Sequence, residues 1–169
     1  MPHWGTEYVY GPTASQERLA QVMVDAGADL IIGGHPHVVE GIQVIDDVPV
    51  LYSLGNFIFD QQIPMTWQAL TAHVIVDTEE ITLNLLPIWA QDGQPSPVSD
   101  EEAQVILNLI ADYSDEDLQE QIKQGIMDDL RTGNKKLSFP AQTLTLEKGS
   151  SEDIAIGIKN VLNGNLDLT

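Results

Sequence analysis

The stretch IIGGHPHVVEG sets His35 and His37 two residues apart, directly after Gly33-Gly34. In extended backbone, residues i and i+2 point to the same side, so both imidazoles can converge on one metal site. Pro36 fixes φ between them and stiffens the loop, while the glycines let the backbone approach a ligand closely. Imidazole serves Zn, Mn, Fe and Ni alike, so the spacing leaves the metal open. The same residues also fit a polar loop with two hydrogen-bonded histidines. Near the start, HWGTEY offers His3, either a solvent-exposed imidazole or a further ligand. It also offers Glu7, either a solvated carboxylate or a ligand or general base. In LYSLGNFIFDQ, Asn56 and Asp60 stand among apolar residues. There Asn56 either relieves a turn of unusual φ, or Asn56 or Asp60 lies at the same edge as the histidines, with Asn56 orienting one of them or binding substrate. His73, between Ala72 and Val74, reads as a half-buried structural residue.

Such loops need elements to hold them. Pro12–Ala26 is expected to be a helix, with Leu19, Val22, Met23 and Ala26 on one stripe and Gly27 closing it. Leu30–Ile32 reads as a short buried strand that delivers Gly33-Gly34. Val38–Ile45 and Val48–Tyr52 read as a strand pair joined at Asp46-Asp47, and Ala69–Val76 with Ile81–Ile88 as another. The succession of helix, short strand and paired strands points to an α/β layered fold. AQDGQPSPVSDEE reads as a linker, and Ser99 to Glu102 as a capping box opening a helix through Val105, Ile106, Leu109 and Ile110. A second helix is expected from about Asp115 to Leu130. Beyond it come a strand at Thr143–Leu146 and a last helix carrying Ile154, Ile158, Val161 and Leu162 on one face.

Composition narrows the chemistry. The 169 residues suit one domain, and 26 acidic against 7 basic residues give a net charge of −19. The excess is even: residues 1–90 hold 11 acids and one base, residues 91–169 hold 15 acids and six bases. Such a surface disfavours nucleic acid and anionic lipid, and it repels an anionic substrate unless a bound cation reverses the local field. The absence of cysteine excludes disulfides, thiolate zinc sites and cysteine nucleophiles, and leaves the compartment open. No apolar run reaches the roughly 18–20 residues of a spanning helix, and no signal-peptide pattern is visible in this chain.

Taken together, HWGTEY followed by Pro12 and Gln16, then GADLIIGGHPHVVEG, then LYSLGNFIFDQ, resembles the C-terminal half of CapA-type poly-γ-glutamate capsule biosynthesis proteins, within the calcineurin-like metallophosphoesterase superfamily. The match is specific over residues 3–62, looser over 63–90, and absent over 98–169. The resemblance implies part of a four-layer α/β/β/α sandwich with a metal site at its sheet edges. It implies an organisation of residues 1–90 as the half-fold, 91–98 as linker and 99–169 as a mainly helical C-terminal extension.

The superfamily's Gly-His-x-His element corresponds to Gly34, His35, Pro36 and His37, and its lone preceding histidine ligand to His3. Glu7 and Asn56 carry over as site-lining, catalytic candidates. The implied cofactors are divalent metal ions (Mn, Zn or Fe), and the implied substrate is an anionic polymer or phosphoester. The parent is expected at the cell surface, membrane-anchored with the capsule synthesis machinery. The superfamily's remaining ligands come from earlier motifs: an Asp-bearing strand end, a Gly-Asp bridging carboxylate and an Asn-His pair. None of these occurs here. The expectation is therefore an incomplete catalytic unit of a metal-dependent hydrolase or transferase, lacking its N-terminal half. The alternative is a non-catalytic interaction module with a vestigial metal site.

Overall fold

The computed structural model describes residues 1–76 and 81–127. Helix α1 spans Ala14–Asp25 and opens on a capping box: the Thr13 hydroxyl accepts from the Gln16 amide, and the Gln16 side chain reaches back to the Thr13 backbone. Strand β1 (Ile31–Ile32) pairs in parallel with β3 (Val48–Leu51), and β3 pairs antiparallel with β2 (Ile42–Ile45). Asp46 and Asp47 both take positive φ, 48° and 67°, which suits a two-residue hairpin whose twist matches its strands. The chain from Val38 to Gly41, expected as strand, makes one isolated bridge, Val39 to Leu54, before β2 begins.

A second sheet follows. Strands β4 (Gln68–Val76) and β5 (Ile81–Gln91) pair over nine residues, from Gln68 opposite Trp89 to Val76 opposite Ile81. The expected linker is instead a further strand. Asp92 and Gly93, both at positive φ, turn the chain so that β6 (Gln94–Pro97) pairs with the end of β5. The Pro-rich composition that suggested a linker is tolerated because β6 is an edge strand. Its turn is the Asp-Gly dipeptide favoured in tight hairpins.

Helix α2 (Asp100–Asp112) starts at Ser99, whose hydroxyl accepts from the Glu102 amide. The helix expected from Asp115 to Leu130 is much shorter within the described residues. Helix α3 covers only Gln119–Gln124, Gly125 at φ 75° caps it, and β7 (Ile126–Met127) then pairs with Leu83 and Asn84 of β5. Left-handed glycine after the last turn stops a helix even where apolar residues continue at a spacing of four. The strand expected at 143–146 and the last helix lie outside the described residues.

Two apolar clusters hold these elements. One gathers Trp4, Ala20, Val24, Ile31, Val48, Val50 and Tyr52. The other joins Val39, Ile42 and Leu51 to Leu83 and Leu85 of β5 and to Ile106, Ile110, Ile122 and Met127. The described part of the expected C-terminal extension is therefore built into the same core as the residues before it. The architecture is mixed α/β, with two sheets and three α-helices among the described residues. No helix among them is long and apolar enough to cross a membrane.

Candidate metal centre

The site begins where β1 ends. Gly33 donates its amide to the Leu51 carbonyl at 2.8 Å, and its α-carbon lies against the Tyr52 carbonyl and the Trp4 indole, where a side chain would collide. Trp4 is the anchor of the HWGTEY loop. Its indole N–H donates to the Tyr52 carbonyl at 2.8 Å, and its ring packs 5.5 Å from that of Tyr52. Three backbone hydrogen bonds then stitch the loop to the histidine turn: Trp4 N–H to Gly34 O at 3.0 Å, Gly34 N–H to Pro2 O at 3.2 Å, and Tyr8 N–H to Pro36 O at 2.8 Å. Two distant stretches of sequence thus form one ledge.

Backbone strain is concentrated on this ledge. Tyr8, His35 and His37 take φ of 65°, 108° and 62°. Each such residue costs roughly 1–3 kcal/mol and persists only when its surroundings over-determine it. The histidines therefore do not converge by the alternation of an extended strand, as expected from their spacing. They converge because the turn is left-handed at both. The ligand atoms of Glu7, His35 and His37 all lie within 4.8 Å of one another. Glu7 Oε1 stands 3.9 Å from His37 Nε2. Two imidazoles and a carboxylate are a donor set that suits a single Zn, Mn or Fe ion.

His3 lies outside that set of three, although its ring sits 4.5 Å from that of His35. Asp60 is exposed and is not part of the cluster, and neither is His73, exposed on β4 opposite Asn84. The unusual φ expected at Asn56 falls instead on Gly55, at 75°. Asn56 is buried, and its Oδ1 is 2.8 Å from His37 Nδ1. That contact assigns the proton of the neutral ring to Nδ1 and leaves the Nε2 lone pair facing Glu7, the arrangement in which a neighbouring group orients a ligand imidazole.

Other participants escaped sequence reasoning. Asn56 donates to Gln61 Oε1 at 3.0 Å, and Gln61 Nε2 donates to the Tyr8 hydroxyl at 2.9 Å. The Gln61 carbonyl in turn accepts from the Trp67 indole at 2.9 Å. Phe59 covers His37, ring centroids 4.8 Å apart. Beneath the ledge Glu40 is 2% exposed and accepts from Gln16 Nε2 at 2.7 Å. Its other oxygen has no hydrogen-bond partner among the described residues. Burial pushes its carboxyl up to about 7, opposed in part by the Gln16 hydrogen bond. Gln16 also lies directly under Gly5 of the HWGTEY loop, where a side chain on Gly5 would meet its amide. Glu40 closes the same quoted stretch as the histidines, but an acid three residues further on carries no signal of burial. Apart from histidine, the described residues carry only two basic side chains, Arg18 and Lys123.

Residues 1–61 match the family described as bacterial capsule synthesis protein PGA_cap. That interval contains both loops of the ledge and Asn56, so the match covers the segment that builds the site. The chain is 45% identical to the capsule biosynthesis protein CapA of Bacillus anthracis over 98 residues, 57% of this chain and 24% of that protein. It is 42% identical to the PGA biosynthesis protein CapA of Bacillus subtilis (strain 168) over 97 residues, 57% of this chain and 26% of that one. An uncharacterised protein of Sinorhizobium fredii, y4sH, is 40% identical over 58 residues, 34% of this chain and 12% of its own length. Over the matched region the chain is similar to CapA-type capsule proteins, and it spans about a quarter of the length of the two CapA relatives.

Proposed function

We propose that this chain supplies the histidine-bearing half of a metal site in a CapA-like protein of capsule or poly-γ-glutamate biosynthesis. The observation that carries this is the convergence of Glu7, His35 and His37 within 4.8 Å, with Asn56 holding His37 in the tautomer that frees Nε2. His3, beside His35, is the residue that would complete the set when a divalent ion draws the loop in. Such an ion, when bound, polarises a phosphoryl or acyl oxygen and lowers the pKa of bound water. The chain's own groups orient the imidazoles, set the Phe59 ring against His37, and offer Glu7 as a proton acceptor at the exposed rim.

In this reading the complete enzyme is a metal-dependent hydrolase or transferase with a four-layer α/β/β/α sandwich, acting at the cell surface on an anionic polymer or phosphoester. Its N-terminal half adds the bridging carboxylate and the second ion's ligands. This chain alone is then an incomplete catalytic unit. A non-catalytic interaction module is the second reading. It is favoured by one observation: the cluster's single carboxylate, Glu7, has a side chain 47% exposed.

Metal titration tests both. The expected result is one Mn²⁺ or Zn²⁺ per chain, lost in His35→Ala and in His37→Ala, with no phosphodiesterase turnover. Failure to bind either ion favours the interaction module. Turnover that disappears in His35→Ala overturns the claim of incompleteness.

A further inference from the structure

The side-chain amide of Gln61 touches two groups of the site at once. Its Oε1 accepts from Asn56, and its Nε2 donates to the Tyr8 hydroxyl. An amide has one accepting and one donating end, so these two contacts are linked. With Oε1 toward Asn56, the Asn56 Oδ1 turns to His37 and takes the proton of Nδ1, at 2.8 Å. With Nε2 toward Tyr8, the hydroxyl oxygen is already an acceptor, and its own proton is free to leave in another direction. Tyr8 stacks against His37, centroids 6.2 Å apart and planes 25° apart, so the ring that carries this hydroxyl lies alongside the metal-ligand imidazole. Reversing the amide would invert both at once: His37 would carry its proton on Nε2, and Tyr8 would spend its proton on Gln61.

We propose that Gln61 is a positioning residue that sets two protons together, keeping the His37 Nε2 lone pair available to a cation and the Tyr8 O–H available to an oxyanion bound beside it. Gln61 is held for this by the Trp67 indole on its carbonyl, and Tyr8 by the hydrogen bond from its amide to Pro36. Neither residue is a ligand. The oxyanion class follows from the donors present. With Arg18 and Lys123 the only such side chains among the described residues, and neither in the cluster, a phosphate or carboxylate would be recognised by a cation and a neutral hydroxyl. The oxyanion part rests on the metal reading above; the tautomer part does not.

The test uses ¹⁵N-histidine-labelled protein without metal, and then Zn²⁺-loaded protein titrated with inorganic phosphate. Metal-free wild type is expected to show His37 with its proton on Nδ1. Gln61→Leu is expected to show mixed tautomers, and Gln61→Glu, which still accepts from Asn56, to restore the wild-type pattern. In the Zn²⁺-loaded form, Tyr8→Phe is expected to weaken phosphate about tenfold or more, the effect of one hydrogen bond to a charged ligand, with Zn²⁺ affinity within about twofold of wild type. Gln61→Glu, which captures the hydroxyl proton, is expected to weaken phosphate as well. A His37 proton on Nε2 in the metal-free wild type, or an unchanged tautomer in Gln61→Leu, overturns the positioning role. Unchanged phosphate affinity in Tyr8→Phe overturns the hydroxyl's role. If wild type takes up no Zn²⁺, the metal reading and the oxyanion part fall together, and the tautomer measurement still decides on Gln61.

Discussion

Glu40 is a buried carboxyl that does not behave as an ordinary glutamate. Its carboxyl ordinarily titrates at 4.5, and burial beside Gln16 raises it to about 7. Between those values the folded chain keeps a proton that the unfolded chain has released. Stability from this group is therefore full below about pH 4.5, falls as the pH rises, and levels off above about 7. At 1.36 kcal/mol per pH unit the fall is roughly 3 kcal/mol. Glu40→Gln is expected to retain the bulk while removing the fall, so that the urea midpoint of the variant exceeds wild type at pH 8 and matches it more closely at pH 5. Parallel curves for the two proteins would mean that Glu40 does not titrate in this range. At this scale the legible residues were those with a chemical signature, His35 and His37 beside two glycines. Gln61 and Tyr8 were not legible, because an amide or hydroxyl becomes informative only through the partner that folding brings to it.

Elements were legible where they announce their own ends. Helix α1 begins one residue after Thr13, and both the Asp46-Asp47 hairpin and the β4–β5 pair fall where alternation placed them. The linker reading failed because proline content was weighed above the Asp92-Gly93 turn, and α3 was overextended because Gly125 was not read as a stop. Gly33 shows how one position can carry an element's junction. A methyl group there would meet the Tyr52 carbonyl and the Trp4 indole, the two partners of the hydrogen bond that anchors the HWGTEY loop. Overpacking of this kind costs about 1–3 kcal/mol. Gly33→Ala is therefore expected to lower the urea midpoint by that equivalent and to abolish cation binding as the loop lifts. Gly34→Ala, whose new methyl would meet nothing within 4 Å, is expected to stay close to wild type in stability, and serves as the control. Equal stability of the two variants would remove Gly33 from this role.

At the scale of the molecule, an amphipathic pattern says that a helix buries a face, not what it buries it against. That is why α2 read as part of an appended extension, whereas Ile106 and Ile110 sit in one cluster with Ile42, Leu51 and Leu83. Ile110, 1% exposed, tests this. Ile110→Ala is expected to cost about 2–5 kcal/mol in global unfolding, the range for truncating a core isoleucine. A loss confined to α2 fluctuations, with the strands untouched, would restore the separate-extension reading. The chain also carries its own optical reporters. Its three tryptophans divide between the two clusters' surroundings: Trp4 lies under the ledge against Tyr52, while Trp67 and Trp89 face each other at 6.0 Å across the start of β4. Emission from a Trp4→Phe variant and from a Trp67→Phe, Trp89→Phe double variant would thus follow the two sheets one at a time. Coincident transitions from the two signals would mean that both sheets melt as a single cooperative unit.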